Sequence, residues 1–231
     1  MVNGKPTFLR GKHDACVFPL TGYAPMDKET WIKVFKTAKE YGINHYRFHS
    51  WTPPEAAFAA ADEVGIYLQP ELPYWGELKP SSSDEASMRL DNFLYDEGLR
   101  IVRQFGNHPS FVMMALGNEL CGDTTVMRQM VDGLRKADPR HLYAFGSNNF
   151  LGYLGPKSGE DFFVGCRVGG ERPGEYNTHV RASFSFADAA DAGILNATRP
   201  NTRMTFAEGM SRSCVPVVGH ETCQYQIYPD Y

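Results

Sequence analysis

Apolar positions along this chain switch repeatedly between a helical and a strand-like period. From Asp27 to Tyr41, Trp31, Val34, Phe35 and Ala38 recur at helical spacing, and Gly42 can end the helix. Ile43 to His49 then reads as a strand, with Tyr46 and Phe48 on one face and Arg47 and His49 on the other. A first strand precedes these elements at Leu9 to Ala15. The run from Thr52 to Glu55, with Pro53 and Pro54 between, reads as a capping box that opens a helix ending near Gly65. Ile66 to Leu72 is a third strand, and the Pro- and Ser-rich stretch from Pro73 to Ser83 a loop. Leu90, Leu94, Ile101 and Phe105 mark a long helix from about Ser87 to Phe105. Phe111 to Leu116 is a fourth strand. Thr124 to Ala137 is a fourth helix, with Met127, Met130, Val131 and Leu134 on one stripe. Leu142 to Phe145 starts a fifth strand. From Gly146 to Ser213 the pattern is weak, and it predicts one strand near His179 to Phe184, one helix and long loops. Val215 to Gly219 is a further strand.

Strands alternating with helices predict a parallel α/β architecture. A doubly wound sheet would carry a Gly-rich phosphate turn after its first strand, and none is present. A (β/α)8 TIM barrel places functional residues at the C-terminal ends of several strands. Arg47, His49, Glu71, Glu119, Asn148 and Glu221 all fall at or just after predicted strand ends. The barrel is therefore the expected fold, as a single domain over residues 1–231.

Composition narrows the function classes. The chain has 231 residues, a hydrophobic content of 42 % and a formal net charge of −4, so no basic surplus points to nucleic acid. No apolar run approaches the ~20 residues of a membrane span. The five cysteines are odd in number, scattered and without a Cys-x-x-Cys pair, which argues against a disulfide framework and a zinc site. The first residues lack the apolar segment of a signal peptide, and the sequence leaves localisation open.

Two acidic motifs follow buried-looking strands: Asn118-Glu119 after Phe111 to Gly117, and His220-Glu221 after Val215 to Gly219. Carboxylates at strand ends are held in place while still reaching substrate. Leu116 to Glu119 together with Gly219 to Glu221 resembles the catalytic barrel of glycoside hydrolase family 2, which includes β-galactosidases, β-glucuronidases and β-mannosidases. The likeness extends to four other segments. Asn3 to Gly11 is similar to the entry into that barrel from a preceding β-sandwich. Gly42 to Arg47, Ala61 to Ile66 and Asn107 to Ser110 are similar to the family's second strand, the approach to its third and the turn before its fourth. The resemblance implies that Glu119 is the acid/base, that Glu221 on strand seven is the nucleophile, and that Asn118 hydrogen-bonds the sugar 2-hydroxyl. It implies that Arg47 lies under the nucleophile and keeps it ionised. It also implies a longer parent enzyme, with flanking β-sandwich domains and an eighth strand–helix unit that this chain lacks. The Asn-x-Lys pattern with which glucuronidases bind a carboxylate is not visible.

The expected activity is therefore retaining hydrolysis of a terminal β-linked sugar, a galactoside or a related glycoside, by two glutamates and without a cofactor. Further substrate-binding candidates are His49, Trp51, Trp75, Asn148, His179 and His220. Glu71 is read as a substrate ligand or, preferably, a partner for Arg47. Two alternatives stand beside this reading. One is a metal-dependent hydrolase on the same fold, using His13, Asp14, His49, His179 and His220. The other is a non-catalytic carbohydrate-binding protein on a degenerate barrel.

Overall fold

The computed structural model describes residues 2–80, 84–151, 155–165, 211 and 213–220. Glu221, His179 and the predicted strand near His179 to Phe184 lie outside the described residues. The elements in chain order are β1 (Gly11–Asp14), α1 (Lys28–Glu40), β2 (His45–Phe48), α2 (Glu55–Val64), β3 (Tyr67–Gln69), β4 (Glu77–Leu78) and α3 (Glu85–Phe105). They continue as β5 (Met113–Ala115), β6 (Cys121–Gly122), α4 (Thr124–Ala137), β7 (Leu142–Ala144), β8 (Phe163–Gly165) and β9 (Val217–Gly219).

Three of the four helices among the described residues start at an aspartate whose side chain accepts a backbone N–H of the first turn. Asp27 accepts from Thr30 at 2.7 Å, Asp84 from Ser87 at 2.8 Å and Asp123 from Thr125 at 2.6 Å. The Asp84 cap is why α3 begins at Glu85 rather than near Ser87. α2 departs from expectation. Its N-cap residue is Pro54, with no side-chain cap, and the Thr52 hydroxyl instead donates to the Glu71 carbonyl at 3.2 Å. The capping box is thus absent, because Thr52 ties the loop after β2 to the end of β3. Gly65, at φ +78°, closes the other end of α2.

Parallel pairing runs β1–β2–β3, then β5–β7, then β8–β9. Isolated bridges join these pieces: Leu68 to Phe111 and Glu71 to Ala115, then Asn118 to Ser147 and Ser147 to Val164. Among the described residues the order is therefore β1–β2–β3–β5–β7–β8–β9, seven parallel neighbours in sequence order, with β9 in the seventh place. The sequence pattern did not predict β8, a three-residue strand in the Gly- and Pro-rich stretch. The short β4–β6 pair was likewise unexpected; it links the loops after β3 and β5.

Alternation along the strands divides the molecule. Tyr46, Phe48, Leu68, Met114, Leu116, Tyr143 and Phe145 join the helices in the main core, where Phe58 and Phe105 stack at 4.4 Å. Burying each such ring stabilises the fold by roughly 1.5–3 kcal/mol. The opposite face holds a smaller cluster of Met113, Ala115, Ala144, Phe162 and Val164. Leu9, before β1, and Val218, in β9, both pack on that cluster. The two ends of the array therefore curl toward each other as in a TIM barrel, and no β9–β1 pairing is present among the described residues.

Two of the family-like segments meet below the sheet. His108, in the turn before β5, lies 2.6 Å from Asp62 and 2.8 Å from Glu55 of α2, and Asp62 also accepts the Ser110 N–H at 2.9 Å. This clasp belongs to the N-terminal side of the strands, where barrels keep stability rather than chemistry.

Candidate active site

The C-terminal rim is organised around a buried ion pair. Arg47, the third residue of β2, points to the face away from the helices and is 5 % exposed; Glu71, just past β3, is fully buried. Arg47 Nε donates to Glu71 Oε1 at 2.7 Å and Nη2 to Oε2 at 3.1 Å. The Ser50 N–H at 2.9 Å and the Ser147 hydroxyl at 2.5 Å complete the shell of Glu71. Burying a carboxylate is costly unless its oxygens are paired and hydrogen-bonded in this way. Glu71 is thus the partner of Arg47. Ser147, which the sequence reading missed, follows strand β7 by three residues, and that position was its only signal.

Arg47 carries this order outward. Its Nη2 also donates to Asn118 Oδ1 at 2.6 Å, which fixes the amide of a residue with no exposed surface. The Asn118 Nδ2 group is left buried without a partner among the described residues, a donor that a ligand oxygen could satisfy. Nη1 of Arg47 lies 3.3 Å from Nδ1 of His220. A guanidinium can only donate, so Nδ1 accepts, and a neutral His220 carries its proton on Nε2. That Nε2 stands 3.5 Å from Oε1 of Glu119, a long polar contact.

Glu119 is partly exposed. Its backbone is left-handed, at φ +47°, and its N–H donates to the Ser147 carbonyl at 2.7 Å. Two residues earlier, Gly117 at φ +141° sits where an added Cβ would be 2.2 Å from the Tyr74 carbonyl. Only glycine fits there. The Glu119 carboxyl is held below its ordinary value, first by the His220 ring beside it and further by Asn148 and His49, against the opposing effect of burial.

The other predicted residues separate clearly. His49 meets His13 edge-on at 5.0 Å and Trp75 at 5.6 Å. Asn148, left-handed at φ +54°, donates its N–H to Val164 at 2.7 Å. Glu119, Asn118, Asn148, Arg47, His49, His220 and Trp75 are thus gathered at one rim. Trp51 packs instead among Phe18, Trp31 and Phe48, with its indole N–H on the Asp14 carbonyl at 3.2 Å. No group of three or more His, Cys, Asp or Glu side chains is arranged to hold a metal ion among the described residues. No helix among them is long and apolar enough to cross a membrane.

A curled parallel sheet carrying a carboxylate and its polar supports at the C-terminal rim is the frame of a TIM-barrel site. A family model described as "Glycosyl hydrolases family 2, TIM barrel domain" matches residues 1–158, and the chain belongs to that family. It is 28 % identical over 120 residues to a β-galactosidase of Oenococcus oeni, covering 51 % of this chain and 11 % of the relative. It is 30 % identical over 120 residues to a putative β-glucuronidase of Formosa agariphila, covering 52 % and 14 %. The chain thus spans a small part of the length of the curated relatives it matches. Among solved structures, an FMN-binding β-glucuronidase from Facaelibacterium prausnitzii L2-6 superposes with a TM-score of 0.56 at 19 % identity. That match covers 72 % of this chain and 26 % of the other and shows the shared fold.

Proposed function

We propose that this chain carries the catalytic barrel of a retaining β-glycosidase, as one domain of a longer enzyme, with Glu119 as acid/base and Glu221 as nucleophile. The supporting observation is the contact between Glu119 and His220, the residue directly before Glu221. It sets the residue that precedes Glu221 against the first acidic motif, far apart in sequence, and so supports the pairing of the two glutamates. In the first step Glu119 protonates the leaving oxygen while Glu221 attacks the anomeric carbon; in the second, Glu119 takes a proton from the water that releases the sugar. Asn118 offers its Nδ2, which has no partner among the described residues, to a sugar hydroxyl, and Asn148, His49 and His220 surround the acid.

The first step requires a protonated Glu119, whereas the polar neighbours described here favour its ionised form. A second carboxylate close by would oppose them, because like charges raise each other's pKa. Glu221 fills that role in this reading. The sugar is a galactoside or a related β-glycoside.

The test is a panel of 4-nitrophenyl β-glycosides (galactoside, glucuronide, mannoside, glucoside) with the protein in its full natural length, product stereochemistry being followed by NMR. Retention is expected. Glu221→Ala should abolish turnover and leave binding, and Glu119→Ala should spare activated aryl glycosides and be partly rescued by azide. Inversion would refute the double displacement. Binding without any turnover would instead favour a carbohydrate-binding protein.

A further inference from the structure

Two exposed aromatic rings flank the segment that carries Glu119, from opposite sides and from different loops. Trp75, in the loop after β3, is 63 % exposed, and Phe150, in the loop after β7, is 62 % exposed. Hydrogen bonds pin both loops to this one segment, all but one of them between main-chain groups. On the Trp75 side, Asn118 N donates to the Tyr74 carbonyl and Cys121 N to the Gly76 carbonyl, each at 3.0 Å. On the Phe150 side, Glu119 N donates to the Ser147 carbonyl at 2.7 Å, Phe150 N to the Leu120 carbonyl at 2.8 Å, and Leu120 N to Asn149 Oδ1 at 3.0 Å. The rings are therefore attached to rigid backbone on either side of the acid. Both ring faces are open to water there and available for stacking against a bound group.

We infer that Trp75 and Phe150 form the walls of a leaving-group subsite that takes an aglycone with a flat apolar face. The inference rests on the acid/base role of Glu119. A general acid protonates the glycosidic oxygen, so the departing group lies on the acid's side of the bond. Two aromatic walls there select for flat apolar groups, because ring faces gain from stacking what a small alkyl group cannot supply. An aryl aglycone and the apolar face of a second sugar share this chemistry.

The experiment compares wild type with Trp75→Ala, Trp75→Phe and Phe150→Ala, in the protein's full natural length. Three substrates share whichever glycone the panel identifies: the 4-nitrophenyl glycoside, the methyl glycoside and a disaccharide. A glycone-only competitive inhibitor reports on the sugar site. Each alanine variant should lower the aryl-to-methyl ratio of kcat/KM by about ten-fold. Trp75→Phe should restore most of the Trp75→Ala loss. Inhibition constants for the glycone-only compound and melting temperatures should hold. A parallel loss with the disaccharide assigns the subsite to a second sugar, and a loss confined to the aryl substrate assigns it to an aromatic aglycone. An unchanged aryl-to-methyl ratio in both alanine variants, with wild type active, overturns the subsite and leaves the glycosidase reading standing. An inactive wild type overturns that reading and the subsite with it.

Discussion

Nε2 of His220 stands 3.5 Å from Oε1 of Glu119, while the other nitrogen of the same ring faces the Arg47 guanidinium at 3.3 Å. One imidazole thus links the buried ion pair to the partly exposed carboxylate, and the arginine dictates which nitrogen can donate.

Replacing His220 with Phe should therefore raise the pKa of Glu119. The ring is the first cause of its lowered value, and removing a donor that favours the charged form moves a carboxyl upward. With Glu119 as the proposed acid, the basic limb of the kcat/KM profile reports loss of its proton and should shift to higher pH. A limb that stays in place or moves down would show that the contact does not govern Glu119.

Breaking the Arg47–Glu71 pair from one side should be costly. Glu71→Leu leaves a buried guanidinium without its carboxylate and should destabilise the fold by about 3–5 kcal/mol. The double variant Arg47→Met with Glu71→Leu should recover much of that loss, because no unpaired charge remains. Urea unfolding of the two variants decides the matter. A double variant no more stable than the single one would mean that the pair matters through Asn118 and Ser147 rather than through its charge.

Gly117→Ala tests the backbone that seats Asn118 and Glu119. The new Cβ would meet the Tyr74 carbonyl at 2.2 Å, from a backbone conformation that side chains rarely adopt. A loss of about 1–3 kcal/mol in stability is expected, together with a fall in kcat as Asn118 and Glu119 shift. Normal melting and normal turnover in this variant would contradict the close approach.

Glu160 should make stability depend on pH. Its carboxylate accepts the N–H groups of Phe145 at 2.9 Å and Lys157 at 2.7 Å, yet burial pushes its pKa up to about 7 from an ordinary 4.5. Between those values the folded chain holds a proton that the unfolded chain has lost. The contribution is full below the unfolded value and is lost as pH rises through about 7. Lys157, lowered to about 8 by burial, acts in a higher window and with the opposite slope. Glu160→Gln should flatten the fall in stability between pH 4.5 and 7. An unchanged slope, by urea titration across that range, would assign it to other groups.

The order of helices and strands was legible because four amphipathic helices and the alternation of Tyr46 and Phe48 against Arg47 leave little choice of layer. The preference for Glu71 as the partner of Arg47 follows from the same alternation, since both residues face away from the helices. β8 was not legible. Three residues in a Gly- and Pro-rich stretch show no period, and neighbours on both sides make them a strand. Thr52 misled because its spacing to Glu55 fits a cap, whereas tertiary contact diverts its hydroxyl to Glu71. Phe150 carried no local signal at all: its significance comes from a hydrogen bond to Leu120, thirty residues earlier. The second acidic motif was legible only as a motif, because Glu221 lies outside the described residues.

Ser50, Glu119 and Asn148 follow β2, β5 and β7, and all three adopt left-handed backbone, at φ +51°, +47° and +54°. Asparagine tolerates this conformation; serine and glutamate do so at a cost. A chain free to choose for stability alone would place glycine or asparagine at position 119. Libraries of this protein screened for heat resistance should therefore enrich Glu119→Gly and Glu119→Asn, and under the proposed role of Glu119 they would drift toward sturdy barrels without turnover. Selection on endurance and selection on chemistry pull this position in opposite directions.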